Sequence, residues 1–209
     1  MSEHLTIIAH PLVQNRLTML RDKGTDTPAF RRLMRELGMM LAYEAARDLA
    51  LEDTGIETPM GPMQAQVLAG QTPVLVSILR AGNGLLDGAL DALPMASVGF
   101  IGLYRDEETL QPVQYYCKLP QGLGARRAIV VDPMLATGNS SAAAIDLVKQ
   151  AGGRDIVLVS LLAAPEGVER MRASHPDVPV LTAAMDERLN ENGFIMPGLG
   201  DAGDRLFGT

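Results

Sequence analysis

A carboxylate, several hydroxyls and a glycine follow one another in the run Ala128-Ile129-Val130-Val131-Asp132-Pro133-Met134-Leu135-Ala136-Thr137-Gly138-Asn139-Ser140-Ser141. Those residue types in that order suit the binding of a sugar phosphate. Ala128 to Val131 are apolar and mostly β-branched, which predicts a strand buried on both faces. Asp132 stands at the strand's carboxyl end. A short loop of small residues and hydroxyls comes next, and the pattern from Ser140 to Ala151 is helical. The helix N-terminus would present free backbone N–H groups and the positive end of its dipole to one point, a geometry that binds phosphate. The loop would take the phosphate and Asp132 the ribose hydroxyls. The same residues also fit a plainer reading, in which the Thr and Ser merely cap the helix. The loop is not a Walker A motif, because no Gly-x-x-x-x-Gly-Lys-Ser/Thr occurs. Nor is there a dinucleotide fingerprint, since Gly82-Asn83-Gly84 with Gly88 further on has the wrong spacing.

The elements that must position this loop can be read from the alternation that starts at Pro73. Strands are expected over 74–79, 96–104, 128–132, 156–163 and 178–183. Helices are expected over 85–93, 140–151 and 166–174. Such alternation predicts a mostly parallel sheet with right-handed crossovers, whose ligands bind beyond the carboxyl ends of the strands. Arg80, Arg105 and Asp132 all follow strands there. Upstream, Pro11 opens a helix through Leu20. Thr27-Pro28 reads as N-cap and first residue of a long amphipathic helix reaching about Leu49, with Phe30, Leu33, Met34, Leu37 and Leu41 on one face. Residues 51–72 look irregular, with room for short strands. Residues 105–124 break the alternation. Val113 to Leu119 fit the return strand of a hairpin, and the polar excursion before it reads equally as a mobile lid or an ordinary surface hairpin. The segment from Gly193 to Arg205 is rich in glycine yet carries apolar residues and charges, a make-up unlike that of a disordered tail. Its glycines would let backbone pass close to a flat ligand.

The chain has 209 residues, 47% of them hydrophobic, enough for one α/β domain with a sizeable core. A net charge of −7 opposes sequence-independent nucleic-acid binding and adhesion to anionic membranes. The single cysteine, Cys117, excludes an internal disulfide and fits a reducing cytoplasm. The three histidines have no zinc-site spacing. No apolar run suggests export or a membrane span.

With these segments placed, the chain resembles the uracil phosphoribosyltransferases. The resemblance rests on Ile78-Leu79-Arg80-Ala81-Gly82, Tyr104-Arg105 followed by Glu107-Glu108-Thr109-Leu110, Val131 to Gly138, Ala163-Ala164-Pro165-Glu166-Gly167, and Pro197 to Arg205. They occur in the family's order, and His10-Pro11-Leu12-Val13 and Tyr43-Glu44-Ala45 fit its N-terminal part. The resemblance implies a type I phosphoribosyltransferase fold: a mostly parallel central sheet flanked by helices, with a hood over the base site and a flexible hairpin. One domain would span 1–209, with a core at about 73–183 and a hood made by the N-terminal segment and 184–209. It implies a pentosyltransferase of pyrimidine salvage that converts uracil and phosphoribosyl pyrophosphate (PRPP) to UMP and pyrophosphate. Arg80, Arg105, Asp132, Pro133, Met134, Leu135, Ala136, Thr137, Gly138, Asn139, Ser140 and Asp201 are implied to contact PRPP. Ile195, Gly200, Asp201 and Ala202 are implied to contact uracil, and Arg105 and Asp132 to serve catalysis. Magnesium would arrive bound to PRPP. Family members are dimers or tetramers, and some are activated by GTP.

The reaction breaks the C1–O bond to pyrophosphate while N1 of uracil attacks, so the task is positioning and charge stabilisation. Guanidinium forks at Arg80 and Arg105 suit the leaving pyrophosphate. Pro133 stands where many relatives in the wider group carry a second acid, so no protein metal ligand is expected. Three departures from the family are visible. Asn139 replaces a usual Gly; Asn tolerates a left-handed backbone and caps helices well, so function should survive. Phe194 replaces a common Tyr, and Asn83 is atypical beside the pyrophosphate loop. The plainer readings are a surface charge for Arg80, a salt bridge to Asp106 or Glu107 for Arg105, and mutual pairing of Asp201, Asp204 and Arg205. Three other functions share the sequence features: transfer to another base, a nucleic-acid-binding regulator on the same fold, and an interaction protein with a decayed site. The acidic charge balance and the intact base loop oppose the regulator. The retained Arg80, Asp132, Thr137 and Asp201 oppose a decayed site.

Overall fold

A computed structural model describes residues 4–105 and 112–209, and of Arg105 the backbone alone. In chain order the elements are β1 (Leu5–Ile7), α1 (Pro11–Arg21), α2 (Thr27–Ala45), β2 (Leu51–Thr58), β3 (Gly61–Leu68), β4 (Val74–Leu79), α3 (Asn83–Ala92), β5 (Ser97–Arg105) and β6 (Pro112–Lys118). They continue as β7 (Arg127–Val131), β8 (Met134–Leu135), α4 (Asn139–Gln150), β9 (Asp155–Ala163), α5 (Pro165–Ser174), β10 (Val180–Met185), β11 (Arg188–Leu189), β12 (Ile195–Met196) and α6 (Ala202–Phe207).

The central sheet runs β1-β10-β9-β7-β4-β5-β6, with β8 also paired to β9. Its pairings are parallel except at β6, which returns antiparallel on β5. The inner strands β4, β7 and β9 are nearly continuous apolar runs because both of their faces are covered. One face carries α1, α2, α3 and the C-terminal segment, with Phe30, Leu33, Leu37, Leu85 and Leu206 among the buried side chains. The other carries α4 and α5 through Ala144, Ile145, Val148 and Met171. Each buried apolar side chain contributes about 1.5–3 kcal/mol. From β4 the chain moves to β5 on one side, then crosses back to β7 on the other. The carboxyl ends of β4 and β7 therefore flank the point where strand order reverses, and a ligand crevice opens there. Arg80 and Asp132 follow those two strands.

Several expectations need correction. The helix N-cap is Asp26, whose carboxylate accepts from Ala29 N–H at 2.9 Å; Thr27 and Pro28 are already helical. That helix ends at Ala45, short of Leu49, and the Arg127 guanidinium donates to the freed Ala45 carbonyl at 3.2 Å and pairs with Asp48 beyond it. Residues 51–72 are not irregular. β2 and β3 form a long antiparallel hairpin apart from the central sheet, exposed along most of both strands. β1, for which no element was expected, joins the central sheet beside β10. The return strand over 113–119 is present as β6. The lid expectation falls on residues 106–111 and so lies outside the described residues.

Candidate active site

The loop after β7 is held from both sides. The Pro133 carbonyl accepts from Leu161 and Leu162 N–H at 3.0 and 3.1 Å, and Ala164 N–H donates to the Leu135 carbonyl at 2.9 Å. With its carbonyls pinned on β9, the loop reaches α4 in a fixed path. Gly138 makes the turn into the helix at φ +78°, where a Cβ would come within 2.9 Å of the Gly167 carbonyl oxygen. Gly167 answers from α5: a Cβ there would meet the carbonyl oxygens of Ala136 and Leu135 at 2.5 and 2.6 Å. The two glycines thus let α5 press against the loop, which explains the glycine in Ala163-Ala164-Pro165-Glu166-Gly167. Asn139 is the first helical residue of α4, and the left-handed position is taken by Gly138 beside it. Gly138, not Thr137 or Ser140, is the N-cap, and the Thr137 hydroxyl accepts from Asn139 N–H at 3.5 Å. The other N–H groups of the first turn of α4 take no side-chain cap, which suits an anion at that end.

Asp132 sits at the mouth of this loop, half-buried. Its backbone N–H donates to the Val159 carbonyl at 3.1 Å, and its carboxylate accepts from the Ser141 hydroxyl at 3.4 Å. Burial pushes the carboxyl up to about 7, against the opposing pull of the Met134 N–H and the Ser141 hydroxyl. Arg80 follows β4 across a cis Leu79–Arg80 peptide and is exposed. Gly82 behind it allows close packing, since a Cβ would come within 2.7 Å of the Val131 carbonyl oxygen. Asn83 has a structural partner: its amide oxygen accepts from the buried Ser77 hydroxyl at 2.9 Å. Arg105 ends β5, next to β4 in the sheet; its side chain lies outside the described residues.

The glycine-rich tail folds back over the same end of the sheet. β11 and β12 pair through Leu189 and Ile195, and a turn from Asn190 to Phe194 joins them. Gly198 follows at φ +64°, so close to its neighbours that a Cβ would lie 2.1 Å from the Ile195 carbonyl oxygen. Gly200 also takes a positive φ, +81°. Asp201 caps α6 by accepting from Asp204 N–H at 2.8 Å. A cleft of about 180 Å³ is lined by Met134 and Ala136 from the phosphate loop and by Gly193, Phe194, Ile195, Gly200, Asp201 and Ala202 from the tail. The residues expected to meet uracil therefore share one cleft with part of the loop expected to meet PRPP. Phe194 lines it with a ring that has no hydroxyl. Arg80 and Asp132 are not among the residues of this cleft.

Two charged clamps hold the tail in place. Asp186, after β10, accepts from Arg21 at 2.5 and 2.7 Å and from Gly198 N–H at 2.9 Å, while Arg21 also donates to the Gly198 carbonyl at 2.9 Å. Burial raises the Asp186 carboxyl, but Arg21 and the Gly198 N–H outweigh it and hold the group below the usual carboxylate range. Arg205 donates to the carbonyls of Leu20, Leu199 and Asp22 at 2.8, 2.9 and 2.6 Å and lies over the Phe30 ring at 4.5 Å. The mutual pairing considered for Asp201, Asp204 and Arg205 does not form: Arg205 spends its donors on main chain, and Asp201 caps a helix. Sequence reasoning missed Arg21 and Asp186. Lone charges 165 residues apart leave no local signature. Among the described residues, no three His, Cys, Asp or Glu side chains converge on a metal position.

Known proteins show the family to which this chain belongs. Residues 7–209 match the uracil phosphoribosyltransferase family. A uracil phosphoribosyltransferase of Paracoccus denitrificans (strain Pd 1222) is 64% identical over 206 residues, covering 99% of this chain and 98% of that protein. The AQ2163 protein of Aquifex aeolicus superposes with a TM-score of 0.92 at 39% identity, over 97% of each chain. A hypoxanthine-guanine phosphoribosyltransferase of Bacillus anthracis, 14% identical, shares the type I fold at a TM-score of 0.50 over 74% of this chain and 78% of that one. By sequence along nearly its whole length and by fold, this chain belongs to the uracil phosphoribosyltransferase family.

Proposed function

We propose that this protein transfers the phosphoribosyl group of PRPP to N1 of uracil, releasing pyrophosphate and making UMP for pyrimidine salvage. The observation that carries this reading is the cleft in which Met134 and Ala136 meet Ile195, Gly200, Asp201 and Ala202, next to the α4 N-terminus. A base seated there lies beside a ribose whose 5′-phosphate rests on the Ala136 to Ser140 loop. Asp132 holds the ribose hydroxyls, and its ionised form favours the positive charge that grows on the ring. Arg80, joined by Arg105, takes the leaving pyrophosphate, and magnesium enters as part of the PRPP substrate. Asp201 contributes to both subsites.

Uracil offers two carbonyl acceptors and an N3–H donor, which main chain around Ile195 and Gly200 to Ala202 can answer. Cytosine would set an amino group against an N–H and leave a buried donor unpaired, and hydrogen-bonding sites of this type discriminate by ~10⁴ or more. Incubating the protein with radiolabelled uracil, magnesium and PRPP tests the reading. UMP is the expected product; no UMP, or equal turnover of cytosine, contradicts it.

The proposal extends to setting and assembly. No helix among the described residues is long and apolar enough to cross a membrane, and the lone cysteine suits a cytoplasmic protein. A homodimer or homotetramer is supported by the β2–β3 hairpin, which carries Met60 at 94% exposed with Ile56, Met63 and Val67 also uncovered. Sedimentation would decide between the two. GTP as an activator is supported by the family resemblance alone, and adding GTP to the assay tests it.

A further inference from the structure

Helix α6 runs between the two halves of the site. At its N-terminus, Asp201 and Ala202 line the base cleft. At its C-terminus, the Phe207 ring lies 5.6 Å from the guanidinium carbon of Arg80. That end of the helix is held through the residues on either side of Phe207, which is itself 37% exposed. The buried Leu206 packs on α3 so closely that a Cβ at Gly84 would come within 2.9 Å of it. The Arg31 side chain donates to the Leu206 carbonyl at 2.7 Å, and Gly208 closes the helix at φ +75° with an N–H to the Asp204 carbonyl at 2.7 Å. Phe207 is therefore presented by a rigid support, whereas Arg80 is a long exposed side chain that loses rotamer freedom when it grips a ligand. An aromatic face attracts a guanidinium and orients its plane.

We propose that Phe207 is a positioning residue for Arg80, holding its guanidinium ready for the pyrophosphate of PRPP, and that α6 sets this position and the base cleft from one short rigid piece. The inference rests on the reading of Arg80 as a pyrophosphate ligand. It makes the C-terminal residues a part of pyrophosphate binding as well as of base binding.

Phe207→Leu keeps an apolar side chain on this surface and removes the ring face; Phe207→Tyr keeps the ring. Steady-state kinetics should show the KM for PRPP raised about fivefold in Phe207→Leu, with the KM for uracil changed by less than about twofold. The melting temperature should hold, and Phe207→Tyr should behave as the parent. In an Arg80→Ala background, Phe207→Leu should add no further loss. An unchanged KM for PRPP overturns the inference. So does an equal rise in both KM values with a lowered melting temperature, or a penalty that persists without Arg80. Calorimetric titration with magnesium pyrophosphate repeats the comparison without turnover. A protein that makes no UMP but loses pyrophosphate affinity in Phe207→Leu upholds this inference while sinking the uracil assignment. A protein that makes UMP with no change in either measurement does the reverse.

Discussion

Replacing Asp132 with asparagine should stabilise the free protein in a pH-dependent way. The carboxyl is pushed up to about 7 by burial at the mouth of the phosphate loop, against an unfolded value of about 3.9. Its folded value is the higher one, so its favourable contribution is complete below about pH 4 and is lost as pH rises through 7. Between those limits the folded chain holds one proton that the unfolded chain has released, and stability falls by about 1.4 kcal/mol per pH unit from this group. Asparagine cannot ionise and escapes that loss. It also changes the acceptors offered to Met134 N–H and Ser141, but that difference is constant with pH. The stability of Asp132→Asn relative to the parent should thus climb by roughly 3 kcal/mol from pH 5 to pH 8 and then level off. Urea unfolding at half-unit pH steps reads this directly. A flat difference across the range would refute the reasoning, because it would mean that burial does not hold the proton on Asp132. The same variant should lose most of its UMP-forming activity at every pH, and the parent's kcat/KM should fall as pH drops below about 7.

Arg80→Ala should lower turnover and PRPP affinity strongly while shifting stability by no more than about 0.5 kcal/mol, since the side chain is exposed; thermal melts beside kinetics check both. Gly138→Ala puts a side chain at φ +78° and 2.9 Å from the Gly167 carbonyl oxygen. It should cost at least about 1–2 kcal/mol and raise the KM for PRPP more than that for uracil. Asp186→Asn leaves Arg21 without its carboxylate at a site where the acid is 6% exposed. Losing charge-assisted hydrogen bonds at a part-buried pair costs about 1.5–3 kcal/mol, so unfolding should come earlier and the KM for uracil should rise as the Gly198 turn loosens. Because the Asp186 carboxyl is held low, its contribution is present above about pH 4 and fades as pH falls through its folded value. The deficit of Asp186→Asn should therefore shrink in acid.

The parts of this protein that could be read from its residues are those with local causes. β4 spans Val74–Leu79 as its apolar run predicts, and β7, α4, β9 and α5 begin and end within a residue or two of expectation. Apolar periodicity and a strand-to-loop switch are written in adjacent residues. The tail's glycines likewise announced the close backbone approach seen at Gly198. What escaped notice has distant or two-sided causes. The β2–β3 hairpin lacks the alternation of a half-buried strand because both its faces are largely exposed. Arg127 caps the end of α2 from far along the chain. Gly167 carries meaning only once α5 is seen against the loop, and Arg21 finds Asp186 only in the folded chain. Asn139 could have served in a left-handed position or as a cap, but Gly138 beside it takes both places.

The central claim is that one molecule bridges the phosphate loop and the glycine-rich tail, and a crystal structure of the protein with UMP tests it most directly. The expected density places the 5′-phosphate on the backbone of residues 136–140, the ribose hydroxyls at Asp132 and the uracil ring in the cleft between Met134 and Ala202. UMP bound elsewhere, or with its phosphate away from that loop, would contradict the account.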